Sequence, residues 1–169
     1  AWRAGDRESI TREGRAELAR QLRESAAKRD VQQREQWAKN ARRIDQMWAQ
    51  CAPLSQGDPV TLYLERRGFR GVWPLPEALR LHRGMPYWDG TEMLGTFPAM
   101  VATIIAPDGR MVALHRTYLT PDGRKAGVPS PKKLTGAAGP LVGCCIPLNK
   151  PIRACVGIAE GIETALAAW

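Results

Sequence analysis

The residue best placed for chemistry is Glu160, in the segment VGIAEGIETALAAW that spans residues 156–169. It follows the apolar run Ala154 to Ala159, which predicts a buried strand, and it precedes Gly161 and apolar residues at helical spacing. In an open α/β sheet, ligands bind at the carboxyl ends of the strands. A carboxylate there can hold Mg²⁺ or exchange a proton with a hydroxyl group, two tasks that phosphoryl transfer requires. The spacing alone also fits an ordinary strand-to-helix connection, in which Glu163 only stabilises the start of the helix.

Positive charge is concentrated between residues 110 and 153. Eight lysines and arginines in this stretch accompany a single acidic residue, Asp122. Basic loops that contain glycine suit phosphate groups, because the side chains neutralise charge while glycine lets backbone N–H groups approach. We therefore predict nucleic-acid or nucleotide contacts for Arg110, Arg116, Arg124, Lys125, Lys132 and Lys133. The alternative is a basic surface that serves only solubility.

Histidine and cysteine give no comparable signal. The four cysteines lack the paired C-x₂-C spacing of a zinc site, and the adjacent Cys144 and Cys145 are poorly placed to chelate one ion. His82 and His115 have no partners at ligand spacing, so we expect structural or surface positions for both. The apolar runs are too short for a membrane span. The net charge of +8 favours a polyanionic partner, nucleic acid before an acidic membrane surface, and we expect a cytoplasmic protein with reduced thiols.

The first element that must support these residues is a long helix. Residues 7 to 50 contain no proline and are rich in Ala, Arg, Glu and Gln, which is typical of helix. Four apolar residues recur at helical spacing and should pack on the body of the domain, although they could also mediate dimerisation. They are Trp37, Ala41, Ile44 and Trp48. The charges of this helix suit either a salt-bridged exposed face or contact with DNA.

A short helix and an antiparallel meander should follow. PVTLYLERRGF, residues 59–69, predicts a helix with proline in its first turn and Gly68 at its end. Residues 71 to 97 are rich in proline, glycine and tryptophan, which predicts turns and short elements whose tryptophans either fill a small core or stack on bases. Two β-rich runs then follow, joined by a Pro-Asp-Gly turn that favours a hairpin. They are Met100 to Ile105 and Met111 to Leu119.

At its end the chain resembles a known family. IAEGIETALA, residues 158–167, resembles the first motif of the Toprim domain, the metal-binding α/β fold of bacterial-type primases, type IA and II topoisomerases and some nucleases. GRMVALHRTYL, PKKLTG and IPLNKPIRACVGIAEG resemble, in this order, the subdomain that precedes Toprim in bacterial primases. The helical lead and YLERRGF are similar to the region ahead of Toprim in phage and plasmid relatives. The resemblance covers residues 50 to 169.

The resemblance implies roles for particular residues. Glu160 would be the Toprim glutamate, a general base or a ligand of Mg²⁺ or Mn²⁺, while Arg116 and Lys132 or Lys133 would contact template or nucleotide phosphates. Thr164 stands where bacterial primases tend to carry a carboxylate. The chain also ends before the Asp-x-Asp motif of the family and lacks the zinc ribbon that opens bacterial primases. We therefore expect an inactive fragment of a nucleotidyltransferase.

Taken together, the sequence predicts an α+β protein in three parts. These are a helical lead (1–50), a basic mixed subdomain with a small antiparallel sheet (51–153), and the first β-α unit of a Toprim domain (154–169). The implied function is that of a DNA primase-like protein of a phage or plasmid, which makes short primers from NTPs on single-stranded DNA during replication or transfer. Helicase or other replication proteins would be its partners. The alternatives are a non-catalytic DNA-binding or replisome-docking module and a Toprim nuclease.

Overall fold

The computed structural model describes residues 12–69, 74–149 and 156–168. The fold is α+β, as predicted. Its helices are α1 (Arg12–Ala49), α2 (Pro59–Arg66) and α3 (Ile162–Ala167), and its strands are β1 (Ala52–Pro53), β2 (Leu79–Asp89), β3 (Glu92–Ile105), β4 (Met111–Tyr118) and β5 (Lys132–Leu134). Within these residues, none of the helices is long and apolar enough to cross a membrane. The chain divides into two compact units, one ending at Gln36 and the other beginning at Trp37.

The five strands form one antiparallel sheet in sequential order, which confirms the predicted meander. The Pro-Asp-Gly turn joins β3 to β4, and Gly109 adopts a φ of 84° there, a value that favours glycine. Antiparallel pairing places Thr117 opposite Met100 on β3 and opposite Lys132 on β5. Since side chains alternate along a strand, Lys132 and Thr117 lie on one face of the sheet and Lys133 on the other.

The prediction of turns and short elements for residues 71 to 97 was wrong over most of its length. β2 and β3 form a long hairpin that pairs from Leu79 and Ala102 to Asp89 and Glu92. Two register shifts interrupt this hairpin, on either side of Pro86, and such irregularities accommodate residues that fit a regular ladder poorly. β1 pairs only with Arg80 and Leu81, so the described strands give the Pro86 portion of β2 a single neighbour. Proline is tolerated at such an edge.

Each face of the sheet carries its own apolar cluster. On one face α2 and α3 cover the strands, with Leu64 and Leu166 packed in a cluster that includes Leu81 and Met100. On the other face the end of α1 covers the sheet, where Ile44 is almost fully buried. This position of Ile44, with Trp37, Ala41 and Trp48 half-buried beside it, confirms the predicted packing of the apolar stripe.

The strand predicted before Glu160 does not form in the described residues. Residues 156–159 have no strand structure, and the side chains of Val156 and Ile158 are 67% and 93% exposed. Residues 154 and 155 lie outside the described part. An apolar run becomes a strand only where a neighbour supplies ladder hydrogen bonds, and no described strand pairs with this segment. Of the expected β-α unit, the structure therefore shows the helix α3 alone.

Candidate anion-binding site

The end of α2 and the turn after β4 enclose an open cleft of about 360 Å³. Four of its six lining residues are basic, and none is acidic. The lining residues are Tyr63, Arg66, Arg67, Gly123, Arg124 and Lys125. Convergent lysine and arginine side chains of this kind suit phosphate groups, so we call this feature the basic cleft.

Helix capping places the first two cations. The carboxylate of Asp58 accepts hydrogen bonds from the N–H groups of Val60 and Thr61 at 2.9 and 2.8 Å, which fixes the start of α2. The helix ends at Arg66, and Gly68 follows with a φ of 99°. Arg66 and the next residue, Arg67, thus lie at the carboxyl end of α2, where positive charge is favourable beside the helix dipole.

The turn after β4 places the other two cations. Gly123 has a φ of 76°, and a Cβ built there would lie 2.6 Å from Leu62 Cβ and from the Tyr63 nitrogen. Only glycine therefore lets the turn lie so close to α2. The Thr120 N–H donates to the Arg124 carbonyl at 2.8 Å, and the Arg124 N–H donates to the Thr120 hydroxyl at 3.0 Å. These bonds close the turn and bring Arg124 and Lys125 to the edge of α2.

The cleft cations are only lightly neutralised. Asp122 lies 3.6 Å from an Arg66 nitrogen and 3.0 Å from Arg124 Nε, and all of these side chains are about half or more exposed. Arg67 lies over the ring of Tyr63, 5.6 Å from its centroid. Exposed ion pairs contribute only about 0–1 kcal/mol, so an incoming anion can displace them.

A second charged group adjoins the cleft through Tyr63. Its hydroxyl donates to Glu163 Oε1 at 2.5 Å, and Lys132 Nζ donates to the two oxygens of the same carboxylate at 3.0 and 3.2 Å. The Glu163 side chain is 19% exposed and that of Lys132 is 39% exposed. We call Tyr63, Lys132 and Glu163 the Glu163 junction. It connects α2, β5 and α3.

The junction fixes its own protonation state. Burial by itself would raise the pKa of Glu163, but hydrogen bonds from Tyr63, from its own backbone N–H and from Lys132 together lower that pKa to about 2. Burial and the neighbouring carboxylate raise the pKa of Tyr63 to about 12. At neutral pH, Glu163 is therefore a carboxylate and Tyr63 a protonated donor.

Further polar groups lie on the sheet face that carries Lys132. His115 and Thr117 share this face, and burial, followed by the charge of Lys132, lowers the pKa of His115, while Glu163 acts in the opposite direction. Two buried atoms, His115 Nδ1 and Thr117 Oγ1, have no hydrogen-bond partner among the described residues. His115 is thus half-buried, and its structural or surface role stays a prediction.

The six predicted contact residues do not form one patch. Arg124 and Lys125 line the basic cleft, and Lys132 belongs to the junction. Arg110 bonds Asp108 at 2.8 Å in the β3–β4 turn, at the opposite end of β4 from Arg124. β4 has eight residues, which corresponds to roughly 26 Å at the usual rise of a strand.

Arg116 and Lys133 lie on the other face of the sheet. Arg116 donates to the Leu134 carbonyl at 2.8 Å and to the Tyr118 hydroxyl at 3.1 Å. Lys133 donates to the Trp88 carbonyl, and its Nζ lies 4.1 Å from the centroid of the Tyr87 ring. Both side chains are thus engaged by the protein itself.

Sequence reasoning missed four residues of the site, namely Tyr63, Arg66, Arg67 and Glu163. Arg66 and Arg67 stood outside the stretch of highest charge density, although the adjacent pair at a predicted helix end was a usable signal. Glu163 was expected only to stabilise the start of its helix. Its partners Tyr63 and Lys132 are 100 and 31 residues away, so spacing could not reveal them.

Glu160 is exposed at the bend that precedes α3. In the ranges that the structure describes, no three His, Cys, Asp or Glu side chains come together as metal ligands. Mg²⁺ requires several oxygen ligands, and Glu163 is already bound by Tyr63 and Lys132. The described residues therefore do not fit a Mg²⁺ site by themselves, and we derive no catalytic step through a metal. Metal binding by Glu160 stays a prediction.

These features define an α+β domain with an antiparallel sheet and a basic cleft at one end of it. Residues 38–143 match the model of a family described as a domain of unknown function, DUF7146, and the chain belongs to this family. No curated protein and no solved structure matches the chain. The matched region contains all four cations of the cleft and Lys132, whereas Glu163 lies beyond it.

Proposed function

We propose that this chain is the nucleic-acid-binding part of a primase-like protein and that single-stranded DNA binds in the basic cleft. The observation that carries the proposal is the convergence of two arginines from α2 with an arginine and a lysine from the turn after β4. Two separate elements thus supply positive charge to one opening. The net charge of +8 adds long-range attraction to the same polyanion.

The cleft suits backbone phosphates better than bases. Its one aromatic side chain, Tyr63, is 3% exposed, so its ring has no free face on which a base can stack. Arg66 and Arg124 are exposed and reach solvent with planar guanidinium groups that match phosphate oxygens. Binding in this mode depends on charge and has little sequence preference.

The resemblance of IAEGIETALA to the Toprim motif supports primer synthesis as the process served by this binding. In that proposal the 3′-hydroxyl of a growing primer attacks the α-phosphate of an NTP, which forms the new phosphodiester bond and breaks the bond to the β-phosphate, so that pyrophosphate leaves. Glu160 promotes removal of the hydroxyl proton, while the cleft guides template or nucleotide phosphates. Helicase or other replication proteins are the proposed partners, and the cytoplasm is the proposed location.

Removing the arginine pair of α2 tests the cleft. We expect Arg66→Ala/Arg67→Ala to weaken binding of a fluorescein-labelled oligothymidylate at low salt by about tenfold or more. The slope of log K against log salt should become shallower by roughly 0.7 for each lost contact, as expected for single strands. Fluorescence anisotropy at several salt concentrations measures both quantities.

An equivalent arginine pair provides the control. Arg42 and Arg43 are adjacent, exposed and helical, so Arg42→Ala/Arg43→Ala removes the same charge from α1. This control should bind nearly as tightly as the wild type. Equal losses in both variants would show that net charge alone attracts DNA and would overturn the proposed cleft site.

A non-catalytic DNA-binding module is the second candidate, favoured because Glu160 belongs to no group of three or more possible metal ligands among the described residues. Incubation with single-stranded DNA, NTPs and Mg²⁺ distinguishes the possibilities. Primer synthesis that is lost in Glu160→Gln supports the primase proposal. Binding without synthesis identifies the non-catalytic module, and DNA breakage without nucleotide incorporation identifies a nuclease.

A further inference from the structure

The carboxylate of Glu163 occupies a set of donors that would equally suit a phosphate oxygen. The Tyr63 hydroxyl and Lys132 Nζ both donate to Oε1, at 2.5 and 3.0 Å, and Lys132 also reaches Oε2 at 3.2 Å. A carboxylate and the two non-bridging oxygens of a backbone phosphate accept the same charge-assisted hydrogen bonds. The junction thus has the donors of an anion-binding site, and the Glu163 carboxylate occupies it.

This set of donors is continuous with the basic cleft. Tyr63 lines the cleft and also donates to Glu163, so one side chain belongs to both features. Arg67 lies over the same Tyr63 ring. The Glu163 junction and the basic cleft therefore adjoin each other through Tyr63.

Among the described residues, α3 is held both by apolar side chains and by the Glu163 carboxylate. Ile162 and Leu166 are 7% and 5% exposed and anchor the helix in the apolar cluster. Glu163 adds an ionic contact from the first turn of the same helix. Loss of the ionic contact leaves the apolar anchor in place, so Glu163 can be exchanged without loss of the core.

We propose that Tyr63 and Lys132 form a second phosphate subsite beside the basic cleft and that Glu163 is its internal competitor, displaced when nucleic acid binds. The inference rests on the proposed function of the cleft. It explains why Lys132, predicted to contact phosphate, is paired with an acidic side chain in the free protein. Glu163 thereby sets the affinity of the cleft.

Removing the competing charge should strengthen binding. We expect Glu163→Gln to bind the labelled oligothymidylate on the order of fivefold tighter at low salt, the gain of one charge-assisted contact at a half-exposed site. The salt dependence should also steepen by roughly 0.7, because one more phosphate is neutralised. A purely structural role for Glu163 predicts unchanged or weaker binding instead.

Two matched variants isolate the effect. Glu65→Gln makes the same charge change at an exposed position of α2, beside Arg66, and should gain little affinity. Adding Lys132→Met in the Glu163→Gln background should abolish the gain, because it removes the cation on which the gain depends. Circular dichroism of each variant checks that the fold is kept.

The outcomes separate the two proposals. If Arg66→Ala/Arg67→Ala weakens binding but Glu163→Gln does not strengthen it, the cleft stands and the internal competitor is refuted. Equal gains in Glu163→Gln and Glu65→Gln would also refute it, since charge alone would explain them. If the arginine pair has no effect, the proposed function itself fails.

Discussion

Lys132 and Lys133 are neighbours in β5, yet the two faces of the sheet give them different environments. Lys132 bonds the Glu163 carboxylate on the face that α2 and α3 cover. Lys133 lies over the Tyr87 ring on the opposite face and donates to a backbone carbonyl. One lysine is thus held by a close carboxylate, 3.0 Å away, that an anion can replace. The other is held chiefly by an aromatic ring and a carbonyl group, with the Asp89 carboxylate farther away at 3.9 Å.

Because side chains alternate along β5, two lysines of identical chemistry point to different surroundings. Lys132 reaches the candidate anion site, and Lys133 reaches the aromatic core. On the Lys133 face, Tyr87 packs edge-to-face against Tyr118 and Phe97, with centroids 4.9 and 6.3 Å away. An aromatic platform of this kind rigidifies the lysine without depending on pH. On the Lys132 face, the contact depends on the charge of one carboxylate. The three predictions below test this contrast, from the largest expected effect to the smallest.

Tyr87→Ala should produce the largest loss of stability. Tyr87 is fully buried, and its hydroxyl accepts a hydrogen bond from the Ser130 N–H at 3.0 Å. Truncation should lower the free energy of unfolding by about 3–5 kcal/mol, as other aromatic-to-alanine changes in cores do. Urea denaturation followed by circular dichroism measures this loss. Tyr87→Phe keeps the ring and should cost only about 1 kcal/mol; an equal loss in both variants would contradict the importance of the platform.

Acid should weaken the Lys132 face selectively through Glu163. Its pKa falls from the ordinary 4.5 to about 2 on folding, so its stabilising contribution is present above pH 4.5 and is lost as the pH falls toward 2. Glu163→Gln should therefore be less sensitive to acid than the wild type over this range. Thermal unfolding at a series of pH values tests the difference. Because the charge of Glu163 opposes the lowering of the His115 pKa by burial, the comparison is made in a His115→Gln background, where this histidine no longer titrates. Parallel pH profiles for the two proteins would contradict the assignment.

Lys133→Met should have the smallest effect. The contact of Lys133 with Tyr87 is a partly exposed cation–π interaction, and its loss should cost about 0.5–1 kcal/mol. The decline of stability below pH 4.5 should match that of the wild type, because Glu163 keeps its partners. Lys125→Met, at an exposed position of the basic cleft, should leave the free energy of unfolding unchanged and serves as the control. If Lys133→Met instead lost stability at a different pH from the wild type, the two faces of the sheet would be electrostatically coupled.

The sequence pattern correctly predicted the elements that depend only on neighbouring residues. The Pro59 start and Gly68 end of α2, and the Pro-Asp-Gly turn before β4, follow from backbone preferences that neighbouring residues determine. The β2–β3 hairpin was missed because Gly84 and Pro86 weaken the alternating pattern. In the sheet, register shifts between β2 and β3 accommodate these two residues. Such shifts depend on the partner strand, so the sequence of β2 alone does not reveal them.

The sequence by itself determined the α+β class, the long helix with its packing stripe, the meander and the excess of positive charge. Only the tertiary structure decided which charges act together. It joined Arg66 and Arg67 to Arg124 and Lys125, separated Arg110 and Lys133 from them, and paired Lys132 with Glu163. The physical reason is range: capping and strand alternation act over a few residues, whereas a charge interacts with whatever the fold brings within a few ångströms.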